Sequence, residues 1–571
     1  MATLQPTFDD IQAENKAIQF PKNLLLEAER YHVGVHLFVA FLALSIGILL
    51  GPFQTFRRAP ALQWEIPFFS YYYQALTLHG VLNALVFTTF FIMGTSYFVF
   101  QRAIGRPLKS ITFIWVSFWT MFIGMVLAGY GILSGQANVL YTFYPPMQAS
   151  WTFYLGLALV IVGSWIGVWH TFITYFEWRA DNPGKRLPLA AFAILANFMM
   201  WFSASLGVAI EVLTMLLPLS LGIIDTTDPQ VARILFWFFG HPLVYFWLIP
   251  AYVSWYTMLP KQLGVKLFSD TMGRIAFLTI AIVSIPIGAH HLFSDPGVSE
   301  TSKILHSALT FVVAAPSLLT AFNIAATIER SGRKRGATNM VDWFFKQPWG
   351  NPVIAAQFCG MLLFIIGGIT GLMNASYNMN VALHNTTWVV GHFHTTLGGA
   401  VFLTYVSITF WILPMIRRRQ LFQPRLATTM VYLWFIGMLI FGTTMGRAGI
   451  EGATRRTDLG GAGAYISDIV GLYMNGAAIA GVLLLISSIL LYVVLIGTLF
   501  FSSKPLDESE VVPVENDTPQ NEYIPAIFER WGLWVGVIAI SNLIMWGPIL
   551  LNAINLASGY WSPGYTNLMQ P

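Results

Sequence analysis

Two closely spaced histidines are the residues of this sequence that most clearly suggest metal chemistry. The chain has only 11 histidines in 571 residues, yet His392 and His394 both lie in the apolar stretch WVVGHFHTTLGG. Each residue of an α-helix turns by about 100°, so side chains two positions apart project about 200° from each other. The two imidazoles therefore face opposite sides of one helix, where each can hold a separate large cofactor but both cannot bind one metal.

A second set of residues has the composition of a copper site. His241 and Tyr245 are four residues apart in GHPLVYFWLIPAY, and are therefore neighbours on one helix face, while His290 and His291 are adjacent in AHHLFSDPG. Neutral imidazole is the commonest protein ligand for transition metals. Three such ligands leave a coordination position open for a substrate. The His-x-x-x-Tyr pattern alone is mostly structural, but combined with the His-His pair and GHFH it is specific.

The composition places these residues in a membrane. The chain is 56% hydrophobic and 10% charged, against roughly 25% charged residues in a soluble domain. Its apolar runs reach the roughly 20 residues that a helix needs to cross a bilayer. The single cysteine, Cys359, excludes a disulfide framework and a multi-thiolate metal site. The sequence predicts an all-α integral membrane protein.

Hydropathy and helix-breaking residues predict about 13 transmembrane helices in one bundle, which forms a single domain over residues 1–571. The predicted spans are 33–53, 75–100, 110–134, 152–176, 189–217, 232–258, 275–293, 304–327, 352–373, 387–414, 427–446, 466–500 and 531–555. The polar, acidic segment at about 502–528 is predicted to be a cytoplasmic linker between helices 12 and 13.

The distribution of basic residues predicts the orientation. With a cytoplasmic N-terminus, 23 of the 30 lysines and arginines fall on the inner side and seven on the outer side. This excess predicts that the N-terminus is cytoplasmic and the C-terminus outside. The first residues lack a short apolar run with a cleavage site, so no removable signal peptide is expected.

This topology puts six histidines of four helices at one depth, in the outer half of the membrane. A single buried histidine is most often a core residue, but six at one level suggest cofactor binding. They are His79, His241, His290, His291, His392 and His394. We interpret four others as core or interfacial residues, because the sequence shows no metal-type partners for them: His32, His36, His170 and His306.

At these motifs the sequence resembles subunit I of the haem-copper oxygen reductases, most closely the B-type, ba3-like cytochrome c oxidases, over about residues 30–555. The resemblance implies that His79 and His394 ligate a low-spin haem and that His392 is the proximal ligand of a high-spin haem. It also implies that copper is bound by three residues, His241, His290 and His291. Tyr245 would be covalently joined to His241.

The implied function is that of a terminal respiratory oxidase subunit that reduces O2 to water, coupled to proton uptake and pumping. Splitting O2 without releasing peroxide takes four electrons. Haem iron can supply two and copper one, so a nearby phenol, Tyr245, is the expected source of the fourth electron and of a proton.

Two departures from the related A-type oxidases refine the resemblance. Leu243 occupies the position of their glutamate, and helix 8 lacks their lysine. The hydroxyl-lined proton pathway of the B-type is matched instead, by Tyr252, Tyr256, Ser317 and Thr320. Asn323 stands at its entrance, where a threonine is expected.

Two further segments, NMNVALHNTTW and ATRRTDLGG, resemble those that hold haem propionates. Arg455 and Arg456 suit bidentate pairing with carboxylates, and His384 is expected near a propionate of the high-spin haem. Asn380 stands where the B-type pattern has an aspartate, which removes a charge from the region expected to load pumped protons.

The resemblance also implies cofactors and partners. The cofactors are a low-spin haem, expected to be b-type, a high-spin haem, expected to be a-type, and one copper ion. Electrons would come from cytochrome c or a small copper protein through a subunit II that carries a dinuclear copper centre. Small accessory membrane subunits are possible partners, and nucleic acid is not one. The expected location is a prokaryotic plasma membrane.

Two alternative functions fit part of this pattern. Nitric oxide reductase shares the scaffold but uses non-haem iron with nearby glutamates. Tyr245 and the lack of such glutamates in helices 6 and 7 argue against it. A transporter with structural histidines would show broken helices in two symmetric halves, and the sequence has no such repeat.

Overall fold

The protein is built from helices, as predicted. The computed structural model describes residues 27–69, 71–295, 298–460, 466–506 and 522–560. Within these ranges the only β-structure is two isolated bridges, Thr386 with Thr454 and Arg419 with Pro505. The predicted all-α class is therefore confirmed.

Twelve helices of the described residues are long and apolar enough to cross a membrane. With a shorter helix, Asp270–Val283, numbered as the seventh, they are α1 (Glu29–Arg58), α2 (Tyr72–Ile104), α3 (Ile111–Leu133), α4 (Trp151–Asp181), α5 (Leu189–Ser220), α6 (Pro229–Gln262), α7 (Asp270–Val283), α8 (Glu300–Lys334), α9 (Pro352–Ala375), α10 (Thr387–Arg417), α11 (Pro424–Ile450), α12 (Asp468–Phe501) and α13 (Trp531–Asn555).

The predicted span 275–293 is the one that differs. Helix α7 has only 14 residues, and a turn separates it from a 3₁₀ helix at Gly288–Leu292. Pro286 lies in that turn. Proline has no backbone N–H and its ring clashes with the carbonyl of the preceding helical turn, so it ends the helix. His290 and His291 therefore lie on a tight 3₁₀ turn and not in the last turn of a continuous helix.

Helices α6 and α10 form the centre of the bundle. In their most apolar stretches 89% and 94% of residues are buried, against 33% for α3. Phe113, Val116, Trp119 and Ile123 are exposed at helical spacing along α3, as expected of a surface that faces lipid. The two central helices carry four of the predicted site residues: His241, Tyr245, His392 and His394.

The predicted linker is anchored at both ends. Residues 507–521 lie outside the described residues. Before them, the Gln420 backbone N–H donates to the Lys504 carbonyl at 3.0 Å. After them, Glu522 accepts hydrogen bonds from the backbone N–H groups of Asp270 and Thr271, at 2.8 and 2.9 Å, where α7 begins. The chain on either side is thus attached to the same end of the bundle.

Candidate haem and metal centres

Three histidines converge as the sequence predicts for copper. Single ring nitrogens of His241, His290 and His291 all lie within 4.8 Å of one another. Nδ1 of His241 and Nε2 of His291 are 3.1 Å apart, a separation that one metal can span with bonds of about 2 Å. Nε2 of His241 is buried and has no hydrogen-bond partner in the part of the chain that the structure describes. The donor set is thus preformed and suits a transition metal.

The backbone explains how residues 50 positions apart meet. Helix α6 is interrupted at His241, because Pro242 follows it. The turn that carries His290 packs closely against α6 at Gly288. A Cβ atom there would lie 2.5 Å from the Trp237 carbonyl oxygen, so only glycine fits. The Trp237 ring stacks on His291 with 3.8 Å between centroids.

One of the four histidines interpreted as core residues supports this turn. His306 Nδ1 accepts a hydrogen bond from the Ala289 backbone N–H at 3.3 Å, and its Nε2 donates to the Met545 carbonyl at 3.2 Å. Thr310 lies 3.0 Å from Nδ1 of His290. Such outer contacts orient metal ligands. His306 and Thr310 are positioning residues that the sequence alone did not reveal, because their partner lies on another segment.

Tyr245 lies beside the copper cluster, as the i, i+4 spacing predicts. Its ring is 5.1 Å from that of His241, centroid to centroid, and both side chains are buried. The phenol faces the cavity that the three histidines also line. The structure thus places a phenol at a cavity that three potential metal ligands also line.

The three-histidine cluster borders a cavity of about 410 Å³, which we name the second cavity. His392 lies in the wall of this cavity. The His392 Nδ1–H donates to the Gly367 carbonyl at 3.0 Å, and Thr370 lies at the same distance. These contacts fix the ring and leave Nε2 available as a ligand. A Cβ on Gly371 would lie 2.9 Å from His392, so glycine keeps this wall open.

His79 and His394 line a separate cavity of about 200 Å³, which we name the first cavity. Their rings are parallel within 8° and 6.1 Å apart between centroids. Each Nδ1–H donates to a backbone carbonyl, Gly47 at 2.7 Å and Val390 at 2.9 Å. The other nitrogen of each ring makes neither of these bonds, so His79 and His394 would be able to hold one haem between them.

Helix α10 lies between the two cavities and contributes side chains to the walls of both. His394 lines the first and His392 the second, as their spacing predicts, and Phe393 between them lines both. A π-helical segment, His394–Val401, begins at His394. Such segments are frequent at functional sites. The Tyr141 ring stacks on Phe393, with centroids 6.2 Å apart and an interplanar angle of 9°.

The predicted propionate residues lie at one end of the two cavities. Arg455 and Arg456 line both, whereas His384 and Asn380 line only the second. Arg455 donates to the Tyr141 hydroxyl at 2.7 Å. Arg456 has a left-handed backbone (φ +69°), a costly conformation for a residue other than glycine that is concentrated at functional sites. Among the described residues, the buried Nε2 of His384 and Oδ1 of Asn380 have no hydrogen-bond partner.

Charge and burial shift the pKa values of two side chains in this loop region, His384 and Tyr141. Burial, and after it the charges of the nearby arginines, of which Arg233 acts most strongly, lower the pKa of His384 to about 4. Burial alone would raise the pKa of the Tyr141 phenol, but Arg455 and Arg456 outweigh it and lower this pKa. The region is therefore electropositive and suited to carboxylates.

The predicted hydroxyl groups pair across α6 and α8. Tyr252 donates to Ser317 at 3.4 Å, and Tyr256 donates to Thr320 at 3.0 Å. Asn323 lies further along α8, where it accepts from the Ser269 backbone N–H at 3.1 Å and donates to the Ser269 carbonyl at 2.7 Å. Glu522, which the sequence suggested only as part of a linker, caps the same segment.

Comparisons with known proteins agree with this site. A profile described as cytochrome c and quinol oxidase polypeptide I matches residues 32–483. A cytochrome c oxidase subunit 1 of Thermus thermophilus is 40% identical over 536 residues, 90% of this chain and 93% of its own. One from Synechocystis is 26% identical over 417 residues, 68% and 70% of the two chains. A heme-copper terminal oxidase dimer solved by cryo-EM matches with a TM-score of 0.88 and 37% identity, over 93% of each chain.

The chain belongs to the cytochrome c and quinol oxidase polypeptide I family, the catalytic subunits of haem-copper oxidases. Within it, this is a terminal oxidase subunit I and a cytochrome c oxidase, most similar to the ba3-like members. The predicted class and activity are confirmed, and nitric oxide reductase and a transporter are not favoured.

Proposed function

We propose that this subunit reduces O2 to water in the second cavity, with electrons that first reach the first cavity. The observation that supports this most directly is the division made by α10. His394 faces a parallel histidine in one cavity, and His392 faces a three-histidine cluster in the other. The bound haems and copper would supply the O2-binding site and the electron storage.

We propose the following roles for the residues of the chain. His79 and His394 hold the low-spin haem, expected to be b-type, and His392 holds the high-spin haem, expected to be a-type. The copper ligands are His241, His290 and His291. Tyr245, joined to His241, delivers a proton from its hydroxyl and one electron. Arg455 and Arg456 hold propionates, with His384 and Asn380 nearby.

Proton uptake is proposed to follow the paired hydroxyls. Tyr252 with Ser317 and Tyr256 with Thr320 form two contacts in sequence along α6 and α8 toward Asn323. Thr320→Val keeps the shape but removes the hydroxyl, so we expect slower proton uptake during turnover with unchanged haem spectra. Thr404→Val, which removes a buried hydroxyl of α10 outside this path, is the control. Equal rates in both variants would contradict the path.

Proposed partners supply what this chain lacks. Its only cysteine, Cys359, is buried and cannot form a dinuclear copper centre by itself. A subunit II with that centre, fed by cytochrome c or a small copper protein, would deliver electrons, and small accessory membrane subunits complete the complex. The protein is a multi-pass membrane protein, and we propose that it lies in a prokaryotic plasma membrane and pumps protons.

The first test is a reduced-minus-oxidised visible spectrum of the purified oxidase complex, with and without carbon monoxide, together with iron and copper analysis. We expect two haems, one of which binds carbon monoxide, and copper. Extra iron without copper would support nitric oxide reduction, and absence of haem would overturn both the site assignment and the enzyme.

A further inference from the structure

Arg58 is a buried cation in the wall of the first cavity. It is the last residue of α1, its residue is 6% exposed, and it lines the cavity with His79 and His394. A guanidinium is permanently charged, and burying it costs free energy unless an anion or hydrogen bonds compensate.

The described residues bind this guanidinium through a hydrogen bond and an aromatic ring but provide no negative charge to neutralise it. Its Nε donates to the Tyr72 hydroxyl at 2.8 Å, and its guanidinium carbon lies 5.8 Å from the centroid of the same ring. No carboxylate of the described residues forms an ion pair with it. Arg57 provides the contrast, since it pairs bidentately with Asp458 at 3.0 and 3.1 Å and with Glu65 at 2.6 Å.

The location favours a carboxylate of the cofactor as the missing anion. Arg58 lies at the end of the cavity where Arg455 and Arg456 also reach it, and the neighbouring Arg57 binds Asp458 of the same loop. Guanidinium pairs with carboxylate in a planar, two-point geometry. A haem carries two propionate carboxylates, and the residues already assigned to them serve both cavities.

We propose that Arg58 binds a propionate of the low-spin haem and raises the reduction potential of that haem. This inference rests on the proposed function, because it requires the first cavity to hold the low-spin haem. Reduction adds one negative charge to the haem, so a fixed cation in a cavity of low dielectric constant favours the reduced form. Because Arg58 lines only the first cavity, its effect is selective for one haem.

The test is a spectroelectrochemical titration of both haems in the complete oxidase complex. In Arg58→Gln we expect the reduction equilibrium constant of the low-spin haem to fall at least tenfold, which is about 59 mV for one electron. The high-spin haem should shift less. Arg58→Lys keeps the charge and should retain most of the potential. Tyr72→Phe, which removes the hydrogen bond that positions Arg58, should give a smaller fall of the same sign.

Arg57→Gln is the matched control, because it removes an equal charge one residue away that is already paired with carboxylates. Carboxylate bands in the reduced-minus-oxidised infrared spectrum should change in Arg58→Gln and not in Arg57→Gln. Equal potentials in the wild type and Arg58→Gln, or equal shifts in the two glutamine variants, would overturn the inference.

These outcomes are separate from failure of the proposed function. A wild-type complex without a low-spin haem would contradict the site assignment itself. If Arg58→Gln does not assemble, Arg58→Lys and Tyr72→Phe decide, and a wild-type potential in Tyr72→Phe together with a large fall in Arg58→Lys would contradict a role for the charge.

Discussion

At the scale of residues, the spacing of two positions between His392 and His394 directs the two imidazoles into different cavities. His392 and His394 are bonded through Nδ1 to different backbone carbonyls, Gly367 and Val390, so each ring is fixed toward its own cavity. Because the other nitrogen of each ring remains free, both can bind iron. The proposed route for an electron between the two cavities is then this helix, on which Phe393 lines both.

Replacing each histidine should therefore remove one haem signal selectively. We expect His394→Ala to lose the low-spin spectrum but keep a haem that binds carbon monoxide, and His392→Ala to do the reverse. The difference spectra and the haem content of each purified complex provide the measurement. Loss of both haems in both variants would argue against two independent sites.

Tyr245 should be needed for turnover but not for metal binding. Tyr245→Phe keeps the buried ring and removes the hydroxyl, so we expect O2 consumption to fall at least about 100-fold, the scale of a lost proton-transfer group. Haem and copper contents should stay at wild-type levels. Tyr432→Phe, which loses a hydroxyl that bonds the distant Trp349 carbonyl, is the control, and equal activity in the two variants would contradict the assignment.

At the scale of elements, the cluster of His241, His290 and His291 depends on interruptions in two helices, α6 and α7. Helix α6 breaks at His241 and α7 ends before Pro286, which lets the 3₁₀ turn at Gly288–Leu292 approach α6. On this turn both His290 and His291 come close to His241, with single ring nitrogens of the three residues within 4.8 Å of one another.

Gly288→Ala tests this close packing. Its added Cβ would lie 2.5 Å from the Trp237 carbonyl oxygen and 2.8 Å from the Trp546 ring, so the turn must move. We expect a loss of about 1–3 kcal/mol of stability, typical of overpacking, and a lower copper content. Gly129→Ala, where nothing lies within 4 Å, should leave both unchanged. Full copper occupancy in Gly288→Ala would show that the turn is not sensitive to this contact.

At the scale of the whole molecule, the segment before α13 is hydrogen-bonded to the bundle through Glu522, at the end where α7 begins. Burial alone would raise the pKa of Glu522, but hydrogen bonds from Ser269, Asp270 and Thr271 outweigh it and lower this pKa. A carboxyl with a lowered pKa in the folded protein stabilises it fully above the ordinary value of about 4.3. That contribution is lost as the pH falls through the lowered value.

Glu522→Gln should therefore lower the thermal unfolding temperature at neutral pH, and the difference from the wild type should disappear in strong acid. Thermal unfolding of both proteins across this pH range is the measurement. Glu65→Gln, in which an exposed carboxylate is removed, should change the temperature little at any pH. A difference between Glu522→Gln and the wild type that is independent of pH would contradict this contact.

The sequence by itself determined the all-α class, twelve of the thirteen spans and the meeting of the three histidines. Hydrophobic length depends on local composition, and the spacing of His392 and His394 fixes their directions because the helix period is constant. Twelve predicted spans and the meeting of His241, His290 and His291 agree with the structure. The orientation of the termini remains a prediction.

Only the tertiary structure decided which distant residues complete the sites. Arg58 is one of two adjacent arginines in the sequence, and nothing local shows that Arg57 is paired while Arg58 faces a cavity. His306 is a buried core residue, as the sequence predicted, but only the structure shows that its hydrogen bonds reach Ala289 and Met545 on two other segments. Glu522 lies about 250 residues from the helix that it caps. Contacts of this kind depend on packing between segments, which leaves no periodic pattern in a single sequence.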